Sequence, residues 1–257
     1  MQGKALIVTG STGIAAATAR LAAQAGARLV IATSDPDSGW ELAAATGAEC
    51  WVGELSLVNS ADSVLGVCVA RFGRVDALFN AAGLSGRRFG DGPVHECSDE
   101  GWDVTLQHNL RTTFQMSRAI IERMLQQEPE PDGVRGVILN MGSVLAEAPE
   151  PRHFATHAYA AAKGAVVAMS RSMAAYYAPH KIRVNVIAPG LVRTPASERS
   201  QANPELSEFL QKKQPLTAGM VDAEDVARAA LFLLGPDSRS VTGDVLTVDG
   251  GWSVAGV

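Results

Sequence analysis

The chain has little cysteine, little aromatic side chain and no concentration of positive charge. Of 257 residues only three are cysteines, Cys50, Cys68 and Cys97. An odd count at wide spacing argues against a disulfide framework and against a zinc site. The thiols fit a reducing compartment. Lys and Arg number 22 against 27 Asp and Glu, a formal charge of −5. No basic run or stripe is present, which argues against nucleic acid as a partner. No apolar run approaches the roughly 20 residues of a membrane span. The opening MQGKALIVTG carries too short an apolar run for a signal peptide and leads directly into a strand. The expectation is a cytoplasmic protein without metal, nucleic-acid or membrane partners.

Hydrophobic residues make up 47% of the chain, enough for a sizeable core. Strand-like and helix-like segments alternate. Strands are expected at 5–9, 28–32, 49–52, 76–83, 134–141, 182–188 and 244–248. Helices are expected at 13–24, 41–46, 60–72, 102–125, 158–177 and 222–234, the long fourth one capped by Ser98 or Asp99. Continuously apolar strands separated by helices indicate an α/β fold: a doubly wound, Rossmann-like parallel sheet of about seven strands with helices on both faces. One domain over 1–257 is the economical reading, with no internal repeat. The segment 126–133 reads as a solvated loop. Residues 146–157 and 194–219 follow strands and would lie at the carboxyl edge of the sheet, where such folds bind ligands. The second of them reads as a small substrate lid.

The first strand ends in VTGSTGIAAATARLA. Gly10 and Gly13 fall between strand and helix, where backbone N–H groups can approach an anion at the helix N-terminus. A second pattern is HAYAAAKGAV at 157–166, with Tyr159 and Lys163 four apart on a bland helix. Taken alone, that pair reads as a solvated face with an aromatic beneath it.

Together these motifs resemble the short-chain dehydrogenases/reductases, and the resemblance spans essentially the whole chain. TGSTGIA is similar to that family's TG-xxx-G-x-G turn, NAAG at 80–83 to the motif closing its fourth strand, and Asn109 to its helical asparagine. Ser143 falls just after the fifth strand, Tyr159 and Lys163 form YxxxK, PGLVRTP matches the turn after the sixth strand, and VTGDVLTVDGG matches the last strand. Two departures stand out. The first turn is one residue short, with Ala15 at the third glycine position. Ser143 and Tyr159 are sixteen apart, a few residues more than usual.

The resemblance implies an NAD(P)-dependent oxidoreductase acting on a secondary alcohol or ketone: a small alcohol, a sugar or a 3-oxoacyl compound. A free tyrosine, with a pKa near 10, is a poor base at neutral pH. A lysine one helical turn away, aided by a positive nicotinamide, favours the phenolate. The implied catalytic set is Asn109, Ser143, Tyr159 and Lys163. Tyr159 serves as acid/base, Lys163 tunes it and holds the nicotinamide ribose, Ser143 steadies the substrate oxygen and Asn109 holds a relay water. The implied cofactor contacts are Gly10, Ser11, Thr12, Gly13, Ile14, Thr33, Ser34, Glu54 and Leu55. They continue through Asn80, Ala81, Ala82, Gly83, Tyr159 and Lys163 to Pro189, Gly190, Val192 and Thr194. Substrate contacts are expected from Ser143, Leu145, His153, Phe154, Tyr159 and Leu191. His95, His108 and His180 read as structural, the tryptophans as packing, and Asp249 as a turn former.

At the end of the second strand Thr33 takes the position of the family's acidic residue, followed by Ser34 and Asp35. With no Arg or Lys nearby, NAD is preferred over NADP. The family further implies a homotetramer through the helices at 102–125 and 158–177 and the last strand. The alternative is a catalytically silent dinucleotide-sensing protein of the same fold, but sensors of that kind usually lose the tyrosine or the lysine.

Overall fold

Short Val-, Ile- and Leu-rich runs form the strands and alanine-rich stretches form the helices that cover them. A computed structural model describes residues 1–131 and 133–256. Its strands are β1 (Ala5–Thr9), β2 (Arg28–Thr33), β3 (Glu49–Val52), β4 (Ala77–Asn80), β5 (Gly136–Met141), β6 (Ile182–Pro189), β7 (Val192–Arg193), β8 (Val221–Asp222) and β9 (Val245–Val248). The helices are α1 (Gly13–Gln24), α2 (Pro36–Thr46), α3 (Ser60–Phe72), α4 (Asp99–Leu106), α5 (Thr112–Gln126), α6 (His157–Tyr177), α7 (Glu198–Gln201), α8 (Pro204–Lys213) and α9 (Ala223–Leu234).

Among these residues seven strands form one parallel sheet in the order β3-β2-β1-β4-β5-β6-β9. The chain winds outward from β1 to β3, then returns to place β4 on the other side of β1. The loops leaving β1 and β4 therefore diverge, and a crevice opens between them at the carboxyl ends of the strands.

The period-two alternation of each strand feeds two cores. Leu6 and Val8 of β1 face the helices α1, α2 and α9, whereas Ala5 and Ile7 face α3, α5 and α6. The small side chains Ala15, Ala19 and Ala22 let α1 pack closely against the sheet and α9. A third apolar cluster joins Val144, Leu206, Leu210 and Trp252 above the sheet edge.

Several expected boundaries shift. α2 starts at Pro36 rather than 41, because Asp35 accepts from Asp37 N and Pro36 fits the first turn. β5 starts at Gly136 rather than 134. The helix expected at 102–125 starts at Asp99, capped by Ser98 Oγ accepting from Gly101 N, and is broken by a π-turn over Gln107–Arg111. The expected helix at 222–234 begins at Ala223, since β8 pairs with β7 in a small second sheet. The expected loop 126–133 is more than solvated: Glu130 accepts from Lys4 Nζ at 2.9 Å and pairs with Arg74. Asp132 of that loop and Val257 lie outside the described residues.

Candidate active site

A cleft of about 1120 Å³ runs along the carboxyl edge of the sheet. Its floor begins at the first turn. Gly10 and Gly13 adopt φ of +92° and +53°, and a Cβ on Gly13 would come within 2.8 Å of Thr194 Cγ2. The shortened turn is held by side chains. Ser11 Oγ lies 2.9 Å from Thr33 Oγ1 and 2.7 Å from Ser38 Oγ, and Ser38 donates to Asp35 Oδ2 at 2.7 Å. Thr12 makes no side-chain cap on α1 and the first turn has no acidic residue, so the positive end of the helix faces the cleft uncompensated. Ile14, Ser34, Glu54 and Leu55 line the same end. Glu54 accepts from Ser56 N and approaches His108 Nδ1 at 3.6 Å; the bonds to Ser38 and to the backbone hold the Asp35 carboxyl below its usual range.

The opposite wall comes from β4. Thr9 Oγ1 accepts from Ala81 N and Ala82 N, both at 3.0 Å, and so fixes the path into Gly83. A Cβ at Gly83 would sit 2.5 Å from Asn109 Oδ1 and 3.5 Å from Lys163 Nζ. Ala81, Ala82 and Gly83 line the cleft. Asn80 does not, contrary to expectation. It is buried, donating to Asn140 Oδ1 at 2.8 Å and Ser117 Oγ at 3.1 Å; Asn140 in turn donates to Ser170 Oγ at 2.8 Å. Pointing into the sheet rather than off its edge, Asn80 ties β4 and β5 to α5 and α6.

Helix α6 brings Tyr159 and Lys163 to the cleft on one face. Its first turn is held from a distant loop: Asp91 accepts from Ala158 N at 3.0 Å and Tyr159 N at 3.1 Å. Lys163 is 2% exposed, and its Nζ donates to Met141 O at 3.0 Å and lies 5.5 Å from the centre of the Tyr159 ring. Burial lowers the Lys163 ammonium to about 8. Burial raises the Tyr159 phenol to about 12, with the Ser143 hydroxyl working the other way. Asn109 lies in the π-turn. Its Nδ2 donates to Leu84 O and Thr105 O, each at 2.9 Å, which leaves the buried Oδ1 without a protein partner. The side chain thus bonds to backbone through Nδ2 and still offers Oδ1 to a further polar group.

Pro189, Gly190, Leu191, Val192 and Thr194 close the cleft from β6 and the turn beyond it. Leu145, His153 and Phe154 line its far end. Trp252 lines it too, its Nε1 donating to Ala148 O at 3.0 Å. Asp249 fixes its turn by accepting from Gly251 N and Ser253 N. Three residue types differ from expectation. His108, read as structural, also lines the cleft, beside Glu54. Trp40 and Trp102 are exposed rather than packed. Arg87, Arg88, Arg152 and Arg199 line the far end, and nothing in their local sequence pattern singles them out.

These residues fit a dinucleotide: a positive helix end behind a glycine turn, a close approach at Gly83 that a side chain would fill, and an orphaned acceptor beside a buried lysine. A protein-family model described as enoyl-(acyl carrier protein) reductase matches residues 8–253. The chain belongs to the short-chain dehydrogenase/reductase family. Family members similar to it include the D-threitol dehydrogenase of Mycolicibacterium smegmatis, 33% identical over 99% of this chain and 94% of that protein. They also include the inactive 2-(S)-hydroxypropyl-CoM dehydrogenase 2 of Xanthobacter autotrophicus, 36% identical over 91% of this chain and 98% of that one. A crystal structure of 3-ketoacyl-(acyl-carrier-protein) reductase from Brucella melitensis complexed with NADH superposes with a TM-score of 0.87. It is 28% identical and covers 98% of this chain and 99% of its own. As a member of the family the protein is an NAD(P)-dependent oxidoreductase acting on CH–OH groups. Among its described residues no helix is long and apolar enough to cross a membrane, and no group of His, Cys, Asp and Glu could hold a metal ion.

Proposed function

We propose that the protein interconverts a secondary alcohol and a ketone, with Tyr159 as the acid/base. The convergence of Tyr159, Lys163, Ser143 and Asn109 in the cleft that begins at the glycine turn carries this reading. A bound nicotinamide supplies the hydride acceptor or donor at the carbinol carbon. The chain's own residues handle the proton. In oxidation the Tyr159 oxygen takes the hydroxyl proton as the hydride leaves carbon; in reduction the phenol returns it. Ser143 Oγ donates to the substrate oxygen and stabilises charge forming there. Lys163 lowers the cost of the phenolate by its charge and holds the nicotinamide ribose hydroxyls. The free Oδ1 of Asn109 holds a water that passes the proton on from the lysine.

NAD is the proposed cofactor. The ionised Asp35 carboxylate stands at the adenosine end among Thr33 and Ser34, and repels a 2′-phosphate. The substrate class is a small alcohol, a sugar or a 3-oxoacyl compound. The segment 194–219, with α7 and α8, acts as the lid.

The rival is a catalytically silent dinucleotide-binding protein. It draws on the shortened turn and on a relative named as inactive. The intact Tyr–Lys–Ser–Asn set favours the enzyme. Titrating NADH and NADPH against thermal unfolding tests the cofactor, with stabilisation by NADH alone expected. Tyr159→Phe is expected to lower turnover by roughly 10²–10⁴-fold and to leave NADH binding intact. A variant with unchanged turnover removes Tyr159 from the mechanism.

A further inference from the structure

Charge is divided between the two ends of the cleft. Its two lining carboxylates, Asp35 and Glu54, follow β2 and β3, at the adenosine end. The far end is lined by Arg87 and Arg88 from the turn after β4, Arg152 from the loop before α6, and Arg199 from α7, with no carboxylate among its lining residues. A chain of net charge −5 thus lines one cleft with four arginines. An acidic protein gains nothing in solubility from such a cluster, and the mutual repulsion opposes it.

The four are not equally engaged. Arg152 is paired with Glu205 of α8. Arg87 donates to the backbone oxygen of His153, with its guanidinium 5.8 Å from the centre of the Phe154 ring. Arg88 lies 4.7 Å from the centre of the Phe89 ring. Among the described residues Arg87, Arg88 and Arg199 have no carboxylate within ion-pair distance. Aromatic faces and a backbone carbonyl hold the first two in place and leave donors free, the arrangement that suits a planar or tetrahedral oxyanion. Arg87 adjoins, through Phe154, the apolar cluster that includes Leu206, Phe209 and Trp252.

We propose that these arginines form an anion subsite, and that the substrate is a secondary alcohol or ketone carrying a carboxylate, sulfonate or phosphate beyond an apolar spacer. The proposal rests on the redox reading above and narrows its substrate class. The dinucleotide's own phosphates do not need this subsite, because the pyrophosphate belongs at the N-terminus of α1 and the adenosine end is acidic.

The test compares short- to medium-chain 3-oxo acids with their methyl esters, which keep the ketone and lose the charge. Both are measured for NADH-dependent reduction and for thermal protection of the NADH-bound protein. The acid should exceed its ester in kcat/KM by about tenfold or more, as charge-assisted pairing predicts. That advantage should shrink as salt screens the exposed guanidinium groups. In Arg87→Gln/Arg88→Gln/Arg199→Gln the ratio should fall to near one, with NADH protection of the variant reporting that it is folded. Esters equal to or better than acids, neither probe acting on an NADH-binding protein, or a ratio untouched by the triple substitution each overturns the subsite. If neither NADH nor NADPH protects or supports turnover, the redox reading fails instead. Acid-specific protection of the free protein, lost in the triple variant, would then still uphold the subsite.

Discussion

Buried Lys163 and half-buried Tyr159 share one corner of the cleft, and desolvation there acts on them in opposite directions. It favours the neutral amine and the neutral phenol. With the lysine lowered from 10.5 to about 8, the charged form costs stability below pH 8, and that cost is relieved as pH rises from about 8 toward 10.5. With the tyrosine raised from 10 to about 12, stability is lost as pH rises from about 10 through 12. Lys163→Met therefore should stabilise the unliganded protein at pH 7, by ~1–2 kcal/mol after the lost hydrogen bond to Met141 O is deducted. Its advantage over the native chain should shrink toward pH 10, read by urea denaturation across that range. Turnover should disappear in the same variant. With Tyr159 as the proposed acid/base, the pH profile of the native enzyme should separate the two directions: alcohol oxidation, drawing on the phenolate, should rise with pH, and ketone reduction, drawing on the phenol, should fall at high pH.

At the scale of elements, helix α6 carries the proposed catalytic pair, and its start is fixed from outside. Thr156 makes no side-chain cap. Asp91, 67 residues before Ala158, supplies both acceptors and a negative charge at the helix N-terminus. Asp91→Ala should cost ~1–2 kcal/mol of stability and lower kcat more than it changes NADH affinity. Asp91→Asn, which keeps one acceptor, should fall between the two. Equal stability of the alanine variant and the native chain would remove this role. The type of each main element was legible from apolar period and punctuation, but the start of α2 was not. PDSG reads as a turn, and only Asp35 accepting from Asp37 N makes it a first helical turn. The π-turn at Gln107–Arg111 was not legible either, because its side-chain bonds reach Leu84 O as well as its own helix.

For the molecule as a whole, the outer surface of helices α4, α5 and α6 carries large apolar side chains that stay substantially exposed in the described chain. Trp102, Phe114 and Tyr176 are 41, 46 and 69% exposed. Burying such a surface between copies is the expected outcome, and a homotetramer should show by light scattering a mass near four times 26.9 kDa. Trp102→Glu with Phe114→Glu should lower that mass. An unchanged mass would place the contact elsewhere, and a native mass of 26.9 kDa would exclude the assembly.

The sequence by itself determined the alternation of strands and helices, the glycine turn and the pairing of Tyr159 with Lys163. All of these are local: a period of two, a period of 3.6, a φ that suits glycine, a four-residue step on one helix face. The ordered motifs added the family, and with it the cleft. Tertiary structure alone decided that Asn80 serves the core, that Asp91 caps helix α6 and that four arginines line one cleft. Those residues come from segments far apart in the chain, and only the packing of one element against another brings them together.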